Sequence, residues 1–541
     1  MEKKIEQKIT ENRSEIQPMS VPAPLPLQQR KPVNPVMKEN TVYFLGLALL
    51  YSVCFAIAFY RNFIGITYPL ITAVTLGVCV LFLKKSGILW KKSNWWYVGG
   101  SFLLGISTIL TTSLFVVFFN TVGILLLIMV FMLHQVYNDR EWRFGQYICN
   151  LLFFYLCMIP EVASPFIHVG NSWKKSRQKE DRRNKNIKYI VIGILIGLPM
   201  LLILVELLSS ADQIFSKFVG NIFHKFWSQI VFSPNLFLVL FLMILGFFGI
   251  YCFLSALTLN NMPEWKQKAE KKNPVTAITF LSMITVVYLI FCGIQILFLF
   301  TGGKLLPEGY TYAEYARQGF FQLLFVCIFN LVLVICCNSI FQNHKILKLL
   351  LLLCSGCTYI MIASSGCRMF LYISVYHLSF LRVLVLWFLA LLVVMMAGVV
   401  RNVIKEDFPL FRYCTMVVTV FYLIFSFGRA DHLIASYNMA QAEEEISYED
   451  LVYLTNLSMD AVPALSKYHF AHTCEKGKET SEDFYGMEQR EGYAVKCKAC
   501  RMDFTFQRVL DLTQDMNART FHISKYQARK AAEKYFQEKG S

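Results

Sequence analysis

From Val42 to Phe427 the chain alternates apolar runs of membrane length with short polar connections. The runs are Val42–Tyr60, Phe63–Phe82, Tyr97–Val117, Thr121–Tyr137, Ile187–Leu208, Leu236–Leu257, Val275–Phe300, Phe320–Cys337, Ile346–Ala363, Leu381–Val400 and Tyr413–Phe427. Each is long enough to cross a hydrocarbon layer of ~30 Å as a helix. Their continuous apolarity, without period-two alternation, selects helices over barrel strands. A further stretch, Tyr147–Val169, carries Pro160, Glu161 and Pro165 in its second half and is expected to be re-entrant or interfacial. The predicted fold is all-α: a polytopic transmembrane helix bundle of about eleven spans with a small C-terminal extramembrane domain.

Composition agrees, since 56% hydrophobic and 16% charged residues exclude an ordinary water-soluble chain of 541 residues. Residues 1–40, with VPAPLPLQQRKPVNP, read as a disordered cytoplasmic arm and not as a cleaved signal peptide. Residues 41–170 form the N-terminal transmembrane part, 171–428 a second bundle, and 429–541 the tail domain. Basic loops resist translocation. KKSGILWKKS holds four Lys, NSWKKSRQKEDRRNKNIK eight basic residues and WKQKAEKK four Lys, whereas the alternate loops are nearly free of them. This pattern places the N-terminus inside and the C-terminus outside. The tail, with 15 basic and 18 acidic residues, is net acidic, so the rest of this +16 chain carries +19, which suits anionic lipid headgroups on the inner leaflet.

The connection at 211–231 places Ile214, Phe215, Phe218, Ile222, Phe223, Phe226, Trp227 and Ile230 at three- and four-residue steps. It reads as an amphipathic helix, lying in the interface or packed on the bundle. Three polar clusters follow on the same outer side: Glu314 and Arg317; Arg368, Tyr372, Tyr376, His377 and Arg382 around a short apolar connection; and Arg429, Asp431, His432 and Asn438 after the last span. Arginine at membrane depth is costly, so contact with headgroups, or pairing with Glu314 and Asp431, is the expected state.

The ordered motifs TYAEYARQGFFQL, RMFLYISVYHLSFLR, DHLIASYN and DLVYLTNLSMDAVPAL resemble the bacterial multi-pass membrane proteins of domain-of-unknown-function family 4173, close to family 4153. The resemblance covers roughly Ile187 to Ala532. Matching positions are Tyr312, Tyr315, Arg317, Gly319 and Gln322; Arg368, Met369, Tyr372, Tyr376 and Arg382; Asp431, Ala435 and Asn438; and Asp450, Tyr453, Leu454, Ser458, Asp460, Pro463 and Leu465. The chain departs from the pattern at Ala440 and Gln441, where relatives carry Arg-Tyr, and at Ser379, where Thr is usual. The resemblance implies a bacterial plasma-membrane protein and attaches no activity to it.

In the tail, Ile446, Tyr453, Leu454 and Leu457 share a helical face, Asp460 with Pro463 is expected to cap the next turn, and ISKYQARKAAEKYFQEK is a strong helix former. His472, Cys474, Cys497 and Cys500 are four donors of the types that hold tetrahedral zinc, with a local disulfide or reduced thiols as the alternatives. Glu206, Gln295 and Asn330 lie within spans, as transport-path residues or as interhelical hydrogen-bonding groups.

The candidate outer-face site is therefore Glu314, Arg317, Arg368, Tyr372, Tyr376, Arg382, Asp431, His432, Asn438 and Asp460. Asp431 and His432 could act as an acid–base couple, but no nucleophile motif or phosphate-cradling loop accompanies them. An envelope-associated sensor or scaffold, bound to membrane lipids and to an envelope ligand or partner membrane protein, is preferred over a transporter or lipid translocator, and over a membrane enzyme acting on a lipid-linked substrate. Nucleic acid is not an expected partner.

Overall fold

The apolar runs fold as helices because inside a bilayer only an intra-segment hydrogen-bond ladder satisfies the backbone. The computed structural model describes residues 35–91, 94–137, 142–177, 234–259, 271–300, 320–442, 446–472 and 497–540, and isolated positions between 201 and 217. The predicted span Ile187–Leu208, the amphipathic segment 211–231, Glu206, Glu314, Arg317, Cys474 and nearly all of the N-terminal arm lie outside these residues.

The membrane body comprises α1 (Thr41–Phe59), α2 (Thr67–Lys85), α3 (Trp95–Ser107), α4 (Leu114–Val136), α5 (Phe144–Met158), α6 (Ser164–Arg177), α7 (Pro234–Leu257), α8 (Pro274–Phe300), α9 (Phe320–Ile340), α10 (Lys345–Tyr376), α11 (Phe380–Ile404) and α12 (Leu410–Phe427). Among the described residues, ten helical stretches are long and apolar enough to cross a membrane. Two cores result, one joining α1–α4 with α7 and the other joining α8–α11 with the first turns of α12. A third core belongs to the C-terminal cap, built from α13 (Ala430–Ala442), α14 (Tyr448–Thr455), α15 (Lys498–Thr513) and α16 (Ile523–Gly540).

The structure departs from the predicted spans in three places. Tyr97–Val117 is not one helix: α3 stops at Ser107 and the chain runs through Thr108–Ser113 before α4 begins. Thirteen helical residues cover only ~20 Å. The threonine-rich break is tolerated because it is buried in protein, where other groups satisfy it. Second, α10 continues to Tyr376, so Arg368, Tyr372 and Tyr376 occupy its last turns and not a short connection. Third, Phe144–Trp173 has the length and composition of a span. Its partners nevertheless lie toward the end of the bundle where α4 finishes and α12 starts: Arg143 donates to the Ser339 carbonyl at 3.0 Å, Tyr147 stacks on Phe411, Phe154 meets Phe253, and Glu161 accepts from Ser255 Oγ at 2.8 Å.

That end carries Lys84, Lys91, Lys271 and Arg401 and is the basic end of the bundle. The opposite end carries the cap.

Candidate functional site

The cap is held by groups drawn from the turns that connect the membrane helices. At the end of α1, Arg519 donates to the carbonyls of Tyr60 at 2.7 Å and Ile57 at 3.2 Å, placing a cation on a helix C-terminus. The Ile66 amide donates to Phe521 O at 3.0 Å, and the Ile523 amide to Ile109 O at 3.0 Å. Between them Asp460, fully buried, closes the break between α3 and α4. Its carboxylate accepts Thr111 Oγ1 at 2.6 Å, the Thr112 amide at 3.0 Å and Thr112 Oγ1 at 3.2 Å, as well as the Ser524 hydroxyl. A buried carboxylate is stable only with its lone pairs satisfied, and here both oxygens are engaged.

Asp460 is therefore not the expected helix cap. Ser458 takes that position, its hydroxyl accepting the Asp460 amide, and the Asp460 side chain is left to reach the membrane body.

His522 completes the joint. Its Nε2 lies 3.1 Å from the Thr111 carbonyl, and its Nδ1 accepts the Lys525 amide at 3.4 Å. A carbonyl only accepts, so the ring is the neutral Nε2–H tautomer. Burial drives its pKa from 6.5 down to about 4.

The second joint clasps the turn between α10 and α11. Asn438 accepts the Leu378 amide at 2.9 Å and donates to the Leu378 carbonyl at 2.8 Å. Tyr453 Oη accepts the Phe380 amide at 2.9 Å. Arg382 donates to the carbonyls of Tyr376 and His377, with its guanidinium 4.4 Å from the Tyr372 ring centroid. His377 ends α10 at φ 59° and ψ −170°, a region of backbone space that residues other than glycine rarely enter.

Asp431 and His432 diverge. The Asp431 carboxylate accepts the Ser458 amide at 3.3 Å, and burial raises its pKa. His432 Nδ1 lies 3.2 Å from the Asp460 carbonyl, with its pKa lowered by burial and by the Arg429 charge. Both residues serve the joint, and the structure does not assemble them as an acid–base couple. Nor does Arg382 pair with Asp431, because carbonyls and aromatic faces occupy it.

Arg368 belongs to a separate cluster inside the bundle. Only 7% exposed, it donates to Gln295 Oε1 at 3.1 Å, and the same oxygen accepts Ser364 Oγ at 2.6 Å. Asn330 similarly donates to Thr358 at 3.0 Å and accepts from Tyr288 at 2.7 Å. Asn120, Ser107 and Ser426 form a third set of interhelical bonds.

Two cavities open at opposite ends. One, of about 500 Å³ at the cap end, is lined by Tyr376, His377, Arg382, Asn438, Asp450 and Tyr453, among others. The other, of about 870 Å³ at the basic end, includes Lys91, Arg143, Lys271, Arg412 and Glu406. In the cap, His472, Cys497 and Cys500 bring three possible metal-ligating atoms within 4.8 Å of one another.

Thr111, Thr112, Arg519, His522 and Ser524 were not singled out by the sequence reading. The one signal available was the polar TTS at 111–113 inside an apolar run.

No curated protein and no solved structure matches the chain. A family model matches residues 98–468, described as a domain of unknown function, DUF4153. It includes the turn between α10 and α11 with Asn438 and Tyr453, and Thr111, Thr112 and Asp460 of the other joint, but not Arg519–Ser524, and is the neighbour of the family that the motifs resemble. The chain thus belongs to the DUF4153 family of domains of unknown function.

Proposed function

We propose that the chain is a ligand-binding scaffold of the bacterial plasma membrane, with its N-terminus in the cytoplasm and its cap outside. The observation that supports this best is the 500 Å³ cavity, whose walls come from both the α10–α11 turn and the cap. A molecule held there touches both parts at once, so its binding would be felt across the joint. The volume suits a small polar ligand, and Gln441, Ser447 and Asp450 line it with polar groups.

The interior polar residues favour an anchor over a transporter or lipid translocator, because Gln295, Asn330 and Asn120 are used in bonds between helices. Divergence of Asp431 from His432 favours binding over catalysis on a lipid-linked substrate. Lys/Arg distribution supports the orientation.

The test is thermal unfolding of the detergent-purified full chain with amino acids, amino sugars and glycerol-phosphate headgroups as probes. One probe class should raise the unfolding temperature in the wild type and not in Gln441→Trp, which fills the cavity. Absence of any shift, or equal shifts in both proteins, contradicts the reading.

The larger cavity favours a second reading, capture of anionic lipid headgroups at the basic end by Lys91, Arg143 and Arg412. Vesicles containing phosphatidylglycerol should then stabilise the wild type more than Arg143→Ala.

A further inference from the structure

The Cys-x-x-Cys of the cap opens α15. Cys497 is its N-cap, and Cys497 Sγ accepts the Cys500 amide at 3.4 Å. A helix N-terminus of this length stabilises thiolate, the ligating form of cysteine. Alone this would mark neither metal nor redox chemistry. The second observation is His472, which arrives from the end of the segment after α14 and sets its Nδ1 3.6 Å from Cys500 Sγ.

Tetrahedral zinc with a thiolate at ~2.3 Å and an imidazole at ~2.05 Å places those two ligand atoms ~3.6 Å apart. The far side of the ring supplies a third observation. His472 Nε2 lies 3.4 Å from Asp503 Oδ2. Asp503 is itself held by Tyr535 Oη at 3.1 Å and by Lys539. A histidine that gives one nitrogen to a metal commonly gives its other N–H to a carboxylate, which fixes the ring and raises its basicity. Asp503 stands where that carboxylate belongs.

We infer that His472 Nδ1, Cys497 Sγ and Cys500 Sγ supply three of the four ligands of a structural zinc ion, with Asp503 as the positioning residue behind His472. The ion would tie the segment ending at His472 to α15 and α16. Its binding free energy would add to the folding free energy of the cap. All three ligands lie beyond the family-matched region, which ends at residue 468. Binding releases the thiol protons and involves no change of oxidation state.

The test uses the full chain purified without added metal or chelator. Elemental analysis should find about one zinc per chain, lost in His472→Ala and in Cys500→Ser. Replacement by cobalt(II) should produce thiolate charge-transfer and visible bands, a readout that does not depend on the variants folding. Asp503→Asn should keep the bands and weaken zinc affinity by roughly 10–100-fold. Metal-free protein that gives no thiolate–cobalt bands would overturn the assignment, as would a Cys497–Cys500 disulfide in place of metal.

Discussion

Asp460 of the cap accepts a 2.6 Å hydrogen bond from Thr111, a residue 349 positions earlier in the break between α3 and α4. The same carboxylate takes the Thr112 amide and hydroxyl and the Ser524 hydroxyl, so one buried charge closes three segments of chain. Truncating it leaves those donors buried without an acceptor. Asp460→Ala should destabilise the protein by ~3 kcal/mol or more. Asp460→Asn, which keeps one acceptor oxygen, should cost less. Thermal or denaturant unfolding of the purified chain measures both.

Acid should loosen the same joint through His522. In the unfolded chain its imidazole takes up a proton near 6.5, and in the folded one only near about 4. Between those values the unfolded state binds more protons, so stability falls as pH falls, and above 6.5 the contribution is complete. It amounts to at most ~3 kcal/mol. His432, also lowered, acts in the same direction. Asp431, whose pKa is raised, binds its proton more readily in the folded state and gains stability on acidification at the acidic end. Unfolding free energy measured from pH 7 to 4 should drop in the wild type and change less in His522→Gln.

Gly65 adopts φ +118°, and a Cβ there would stand 2.8 Å from Phe521 O, the acceptor of the Ile66 amide. Gly65→Ala therefore meets both backbone strain and a steric clash with the cap. It should cost roughly 1–3 kcal/mol, whereas Gly77→Ala in the middle of α2, with open space around it, should not destabilise. Melting temperatures of the two variants decide the matter.

Within the bundle, Gln295 links Arg368 and Ser364 across α8 and α10. A double-mutant cycle with Gln295→Leu and Arg368→Leu should return a coupling of about 1 kcal/mol, the scale of interhelical hydrogen bonds in membrane proteins. Zero coupling would mean that the two side chains do not act together.

Most of the helix bundle was legible because period and length are local properties: α1, α2, α7, α8, α9, α11 and α12 fall on apolar runs read directly from the chain. The break after Ser107 was not, since Ile109, Leu110 and the threonines are apolar enough to extend a hydropathy run, and what ends the helix is the cap docking from more than 300 residues away. Of the polar clusters, the sequence showed which residues were unusual but not their partners. Arg382 and Asn438 looked like ligand groups and instead satisfy the backbone of a turn. Thr111 and Ser524, ordinary by type, are the residues that Asp460 needs.

Asp460 fastens the cap to the membrane body, and hydrogen exchange at three amides tests this directly. Ile66, Thr112 and Ile523 donate across the joint to Phe521 O, Asp460 Oδ1 and Ile109 O. In the full chain in lipid nanodiscs these amides should be protected together, and Asp460→Ala should release all three while leaving the core of α4 around Val130 protected. Rapid exchange at all three in the wild type would contradict it.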